Sequence, residues 1–236
     1  MSGIDELLKK EKVEWKKLWE VTIWSSKFQG VEKYKQQKVN KYYNYLSKEL
    51  EELASEDGTI KILTTNMTEK YAIEETVKDT CYEGEIVCIP GGGTPIVQYY
   101  KGKFVTGENK IATSVDTQKL SNKYLYYVLL SQIDIIASHY RGAGIQHPNM
   151  CQILELEIPI PSIEVQEKIV KTLDKFTDYV TELQAELQAE LQAELQAELQ
   201  SRVKQYEYYR KHLLSEEYLN KMMKIENAKR DGGGIK

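Results

Sequence analysis

The sequence predicts an α+β protein: a mixed α/β globular domain over residues 1–160, followed by a long α-helical, coiled-coil arm over 161–236. Three observations carry that expectation. Short apolar runs bounded by Gly, Pro or Asn punctuate the first part of the chain, the pattern of strands between turns. Two prolines, Pro159 and Pro161, then interrupt it. Beyond them the chain becomes ELQAELQAELQAELQAELQ, a four-residue period running from Glu182 to Gln200. With 236 residues, 41% of them hydrophobic, there is enough apolar material for one folded core and an extension.

The apolar runs place strands near Ile60–Leu63, Glu85–Ile89, Lys103–Thr106 and Lys110–Thr113. Ile158–Ile160 makes one more short strand before the chain breaks at Pro161. Ser121 is positioned to cap a helix carrying Tyr124, Tyr127, Val128, Ile135 and Ile136, and Tyr42–Ala54 reads as a second, more polar helix. Ser162 caps the arm, with Glu164 and Glu167 in its first turns, where the helix dipole favours acids.

Leu, Gln, Ala and Glu are all strong helix formers, so the repeat predicts a helix of roughly 30 Å. Glu182, Glu186, Glu190, Glu194 and Glu198 repel mildly at i,i+4 spacing, and no Lys offsets them. Such a helix is marginal alone, so its Leu stripe calls for a partner helix. Ile169, Leu173, Phe176, Val180, Leu183 and Leu187 follow steps of 4-3-4-3-4, a heptad seam. Leu191, Leu195 and Leu199 continue it in steps of four, which unwind a left-handed coil locally. The alternative is a semi-rigid acidic spacer without a partner. A repeat of identical units has no room for a catalytic site, but it can set a distance. One unit more or less moves whatever lies beyond by ~6 Å.

Charge excludes little. The net −4 divides evenly, with 20 basic against 22 acidic residues in 1–160 and 12 against 14 beyond, so any nucleic-acid surface must be a local patch. Cys81, Cys88 and Cys151 show no C-x-x-C spacing, and their odd number fits buried thiols in a reducing cytoplasm. The charged N-terminal stretch lacks an apolar signal core, and no run of 18 apolar residues predicts a membrane span.

Catalytic motifs are missing. PGGGTP at Pro90–Pro95 lacks the Gly-Lys-Ser/Thr ending of a phosphate loop, and Ile96 stands where a dinucleotide fingerprint needs glycine. It reads either as a tight turn between strands or as a close approach to a DNA backbone. His139, His147 and His212 match no zinc-ligand spacing, and His147 before Pro148 reads as a turn or packing residue. No Asn-Pro-Pro-Tyr or Asp-Pro-Pro-Tyr run grips a flipped base, and no nuclease carboxylate core is evident. The chain is read as non-catalytic, with no metal ligands and no cofactor of its own.

Nucleic-acid chemistry does show locally. Residues 27–43, KFQGVEKYKQQKVNKYY, carry five Lys against one Glu, interleaved with amides and tyrosines. Lysines neutralise phosphates, while Gln and Asn can make paired hydrogen bonds to adenine edges. From this stretch Lys27, Gln29, Lys33, Tyr34, Lys35, Gln36, Gln37 and Lys38 are candidate DNA contacts. YYKGKF adds Tyr99, Lys101 and Lys103, the glycine stretch adds Thr94, and YRGAGIQHPN adds Gln146 and Arg141, the only arginine before the arm.

The whole chain to about residue 225 resembles half of a type I restriction–modification specificity subunit. The resemblance runs, in order, through VEWKKLWEV from Val13, GEIVCIPGGGTP, YYKGKFVTGENKIA, KYLYYVLLS, YRGAGIQHPNM, IPIPSIEVQEKIVKTLDKF, the tetrapeptide repeat and RVKQYEYYRKHLLS. It implies a target recognition domain over 1–160 that reads a half-site in double-stranded DNA. The helix over 161–236 then serves as spacer, dimerisation element and docking site for methyltransferase (modification) subunits. S-adenosylmethionine belongs to those partners, and ATP and Mg to a translocating restriction subunit. A full specificity subunit has two recognition domains and two helical regions, whereas this sequence has one of each. That difference leads to the expectation of a homodimer on a bipartite target, whether the chain is a natural half-subunit, a frameshifted product or a truncated form. The rival readings are a stand-alone dimeric DNA-binding regulator and a nuclease with an unrecognised active site.

Overall fold

The computed structural model describes residues 12–232. Strand β1 (Glu14–Lys17) leads into a single helical turn, α1 (Leu18–Val21), and β2 (Thr22–Trp24). After a 3-10 turn at Lys33–Gln36 come α2 (Ser47–Leu53), β3 (Ile60–Leu63), β4 (Tyr71–Ala72) and α3 (Glu74–Val77). The long hairpin β5 (Tyr82–Pro90) and β6 (Gln98–Thr106) follows, then β7 (Asn109–Ser114). Helices α4 (Asn122–Ser131) and α5 (Ile133–Ser138) precede the short hairpin β8 (Tyr140–Arg141) and β9 (His147–Pro148). The remaining elements are α6 (Met150–Ile153), β10 (Glu157–Ile160), α7 (Ile163–Leu213) and α8 (Glu216–Gly232).

Six strands form one sheet in the order β2-β7-β5-β6-β3-β4, antiparallel except between β3 and β6. β1 pairs separately with β10, so the strand that opens the domain lies beside the strand that precedes the arm. The period-2 alternation of β5 decides the core. Val87 and Ile89 face a large cluster with Trp24, Leu125, Leu129 and Ile158, while Ile86 and Cys88 face a smaller one with Leu63, Phe104 and Ile111. Cys88 is buried in that apolar setting, which pushes its thiol up to about 12. A third cluster joins Leu50 of α2 to Ile60, Ile62 and Val105.

The four sequence-predicted strands between residues 60 and 113 each fall inside an observed strand, and Ile158–Ile160 falls inside β10. The Ser121 hydroxyl accepts the Tyr124 amide, the N-cap that the sequence indicates. The expected helix over Tyr42–Ala54 is shorter, beginning only at Ser47. Tyr42 and Tyr45 leave it because their rings bury elsewhere: Tyr42 packs against Tyr82 and Phe104, and Tyr45 against the cluster around Leu50. The expected single helix beyond Ser121 is two, breaking at Gln132 between α4 and α5.

Contacts divide the chain after Asp174 into two compact units. Within the first, the opening turns of α7 are held by one amide. Gln166, with no exposed surface, accepts from the Ser121 amide (3.0 Å) and donates to Lys119 O (2.7 Å) and Pro161 O (2.9 Å). Further along, Asp174 accepts the Tyr127 hydroxyl (2.5 Å) and pairs with Lys123 (3.1 Å). Ile169, the first residue of the expected seam, packs instead on the domain core. The second unit comprises the rest of α7 together with α8, with His212 stacked on Tyr208.

Removing the buried amide leaves a backbone donor and two carbonyls without partners, at about 1–3 kcal/mol for each buried group left unpaired. Gln166→Ala is therefore expected to destabilise the first unit by at least about 2 kcal/mol, read from urea unfolding midpoints against the parent chain.

Candidate nucleic-acid interface

The stretch 27–43 folds into a compact coil because one of its own amides organises it. Gln36 is buried; its Oε1 accepts the Phe28 amide (2.5 Å) and its Nε2 donates to Phe28 O (3.3 Å) and Val31 O (3.2 Å). The coil is then fastened to the rest of the domain. Lys35 lies between Glu32 (2.9 Å) and Glu155 (2.6 Å), and Glu155 also takes Lys17 (2.6 Å). The Cys151 thiol faces Gln29 O at 3.7 Å. The two lysines hold the Glu155 carboxyl below its usual range, and Glu155 with Glu32 holds Lys35 well above its own. Gln36 and Lys35 thus shape this segment from within, and a base or phosphate would have to compete with the protein for them.

The exposed remainder is Lys27, Gln29, Lys33, Tyr34, Gln37 and Lys38. None of Lys27, Lys33 and Lys38 pairs with a carboxylate among the described residues. Tyr34 is 57% exposed yet fixed edge-on against Trp19, ring centroids 5.5 Å apart. This is a held surface of positive charge, amides and one aromatic ring, the composition that phosphate and base-edge contacts require.

A second patch joins two loops that are distant in sequence. PGGGTP connects β5 to β6, and YRGAGIQHPN forms the β8–β9 hairpin. The Gly93 amide donates to Gln146 O (2.9 Å), His147 Nδ1 bonds Gly91 O (2.7 Å), and the buried Tyr140 hydroxyl donates to Pro90 O (2.8 Å). A side chain at position 92 has no room: a Cβ there would stand 2.9 Å from the His147 ring and 3.1 Å from Ile145. The glycine stretch forms a turn between strands, and the exposed His147 is bonded to it from the neighbouring hairpin. Thr94, Gln146 and Arg141 are exposed here, with the Arg141 guanidinium folded back on Ser138 O and Tyr140 O. The hairpin runs directly into α6, whose Cys151 meets the first coil, so the two patches share one support.

YYKGKF does not join them. The Tyr99 hydroxyl donates to Glu85 (2.8 Å), its ring lies against Tyr126, and the Lys123 ammonium stands 4.5 Å above it. Lys101 lies 3.9 Å from Glu85, and Lys103 bonds Glu74 at 2.5 Å. This stretch sits beside α4 and α3, with Lys103 paired and Lys101 largely exposed. Sequence reasoning missed Trp19, Lys17 and Glu155, which hold the first patch; Lys17 and Glu155 are 138 positions apart, so no local pattern signals them. Among the described residues no three His, Cys, Asp or Glu side chains gather to hold a metal, and no helix is long and apolar enough to cross a membrane.

Residues 30–193 match the type I restriction modification DNA specificity domain. The chain belongs to that family. It is 35% identical over 159 residues to a putative type I restriction enzyme specificity subunit of Haemophilus influenzae, covering 65% of this chain and 39% of the relative. A putative type I specificity subunit of Mycoplasma pneumoniae is 41% identical over 119 residues, 50% of this chain and 35% of that one. The fold is similar to the S subunit of a type I restriction-modification system from M. genitalium, with TM-score 0.54, 20% identity, and coverage of 89% of this chain and 48% of that one. A chain solved in a study of complex assembly and conformational transition of the type I R-M system gives TM-score 0.50 at 15% identity, covering 84% and 48%. The chain therefore spans well under half of the curated relatives and about half of these solved chains.

The Glu155 bridge carries a pH signature. Its carboxyl titrates below the ordinary carboxylate value, so its stabilising contribution is present above that value and is lost as pH falls through the depressed one. Between about pH 6 and pH 3, Glu155→Gln is expected to flatten the acid limb of stability against pH, measured as urea midpoints at each pH.

Proposed function

We propose that this member of the specificity family reads one half-site of a bipartite duplex target and positions catalytic subunits around it. The observation that carries this reading is the domain match, which runs from the lysine- and amide-rich coil through both loop patches and into the repeat. Recognition falls to Lys27, Gln29, Lys33, Tyr34, Gln37, Lys38, Thr94, Arg141 and Gln146, the exposed candidates on the two joined patches. Lysines neutralise phosphates without regard to sequence, whereas the amides address base edges. The chain itself is non-catalytic. Methylation, with its S-adenosylmethionine, belongs to docked modification subunits, and ATP- and Mg-dependent restriction to a further subunit. The setting is a bacterial or archaeal cytoplasm.

The arm supplies spacing and self-association. Val180, Leu183, Leu187, Leu191, Leu195 and Leu199 are each 51–67% exposed on one 51-residue helix. Covering such a stripe contributes roughly 1.5–3 kcal/mol per fully buried Leu, which favours a partner helix over a lone spacer. A second copy provides that helix, and also a second recognition domain. Two-fold symmetry then implies a palindromic, gapped target.

Two outcomes are expected. Light scattering gives a mass near twice the 27.3 kDa chain, and a Leu187→Glu, Leu195→Glu variant returns it to that of one chain. In cells co-expressing the chain with its neighbouring methyltransferase gene, methylome sequencing finds a gapped palindrome only when both are present. Inserting one ELQA unit lengthens that gap by about 1–2 bp, because four helical residues add ~6 Å. A chain that binds DNA tightly without any methyltransferase is instead a stand-alone regulator.

A further inference from the structure

The β8–β9 hairpin holds an isoleucine out into solvent. Ile145 is 69% exposed, more than any other large apolar side chain among the described residues up to Asp174. An aliphatic side chain at a loop tip is ordinary where the loop is loose. Here the backbone around it is fixed from three sides.

Tyr140 and His147, at the two ends of the hairpin, bond to Pro90 O and Gly91 O, and between them the Gly93 amide takes Gln146 O. Within the tip, Gly142 has φ +146°, and a Cβ there would meet Ile145 O at 2.4 Å, so the turn depends on glycine. A Cβ added at Gly92 would stand 3.1 Å from Ile145 Cγ2 and 2.9 Å from the His147 ring, so only glycine lets the two approach this turn undisturbed. The neighbouring Gln146 side chain makes no hydrogen bond among the described residues, while the exposed Arg141 is steadied by its bonds to Ser138 O and Tyr140 O. The tip thus presents one branched apolar group and one free amide side by side on a stiff mount.

We propose that Ile145 is a specificity-determining residue that enters a DNA groove beside Gln146, with His147 and Gly92 as positioning residues that fix its approach. The inference rests on the DNA-reading function proposed above and names a contact within it. Apolar side chains read the thymine methyl in the major groove or wedge between base steps, and Gln pairs with adenine edges. Both contacts tolerate little displacement. The three-glycine stretch is then a mount for the reading tip and makes no phosphate contact of its own.

The test is selection of the full-length chain on duplexes with a random core of about 30 bp, three helical turns. The parent chain enriches a motif. Ile145→Ala loses preference about tenfold at one or two adjacent base pairs, with the other positions and the affinity for unselected duplex retained. His147→Ala blurs the same positions, and His147→Asn, which keeps a donor near the Nδ1 place, restores them. Gly92→Ala repeats His147→Ala; thermal midpoints verify that each variant is folded, and Ile145→Ala alone decides if Gly92→Ala is not. An unchanged motif and affinity for Ile145→Ala overturns the proposal. So does a uniform loss at every position for His147→Ala, or an Ile145→Ala chain that selects normally but loses its methyltransferase. If the parent chain enriches no motif at all, the DNA-reading function itself fails and the tip falls with it.

Discussion

The β5–β6 hairpin is the constraint on which the rest of the domain depends, because its two strands wall off all three apolar clusters at once. Alternate residues of β5 feed opposite faces: Val87 and Ile89 on one side, Ile86 and Cys88 on the other. On β6, Val105 and Phe104 divide in the same way. The hairpin also curls strongly. Gln98, which opens β6, donates to Thr64 O, although Thr106 at the far end of the strand is the residue in register with Leu63. That curl closes the sheet around Phe104 and lets Asn109 bond Leu63 O and Thr106 Oγ1 together. The glycine loop at the hairpin's turn is therefore delivered to a fixed place, where Tyr140 and His147 meet it.

Polar residues in this domain divide by what they bond. Gln36, Lys35, Asn122 and Gln166 have the residue types of a recognition surface, yet each is occupied in holding two or more backbone groups or carboxylates. Buried amides require complete pairing, so these side chains cost stability if anything draws them away. Their neighbours Lys33, Gln37 and Lys38 remain exposed. The domain is in this sense a scaffold of committed polar groups carrying a layer of uncommitted ones.

The arm follows different physics. Its sequence is nearly uniform, its Leu stripe lies in solvent, and its acidic face carries like charges at every fourth position. Such a helix gains little from itself and much from a complementary surface. The spacing role proposed for it rests on helical rise alone, independent of any one side chain.

Much of this was legible in the sequence for a physical reason: strands, caps and the repeat are local patterns. The alternation of β5, the Ser121 cap and the uninterrupted helix after Ser162 are written in adjacent residues, and so was the resemblance that the family match confirms. The candidate surface was only half legible. Composition marked residues 27–43 and 140–149 as basic and amide-rich, but no periodicity distinguishes the buried Gln36 from the exposed Gln37 beside it. It also could not show that YYKGKF lies beside α4, that Tyr42 leaves its helix for Phe104, or that Glu155 bridges two lysines far away in the chain. Those outcomes depend on which segments meet, and meeting is decided by burial of the whole core rather than by neighbours in sequence. The sequence by itself determined the strands, the caps and the long helical repeat, because each is a local pattern; the tertiary structure alone decided which polar groups were consumed in holding backbone and which were left exposed, because that depends on which distant segments meet.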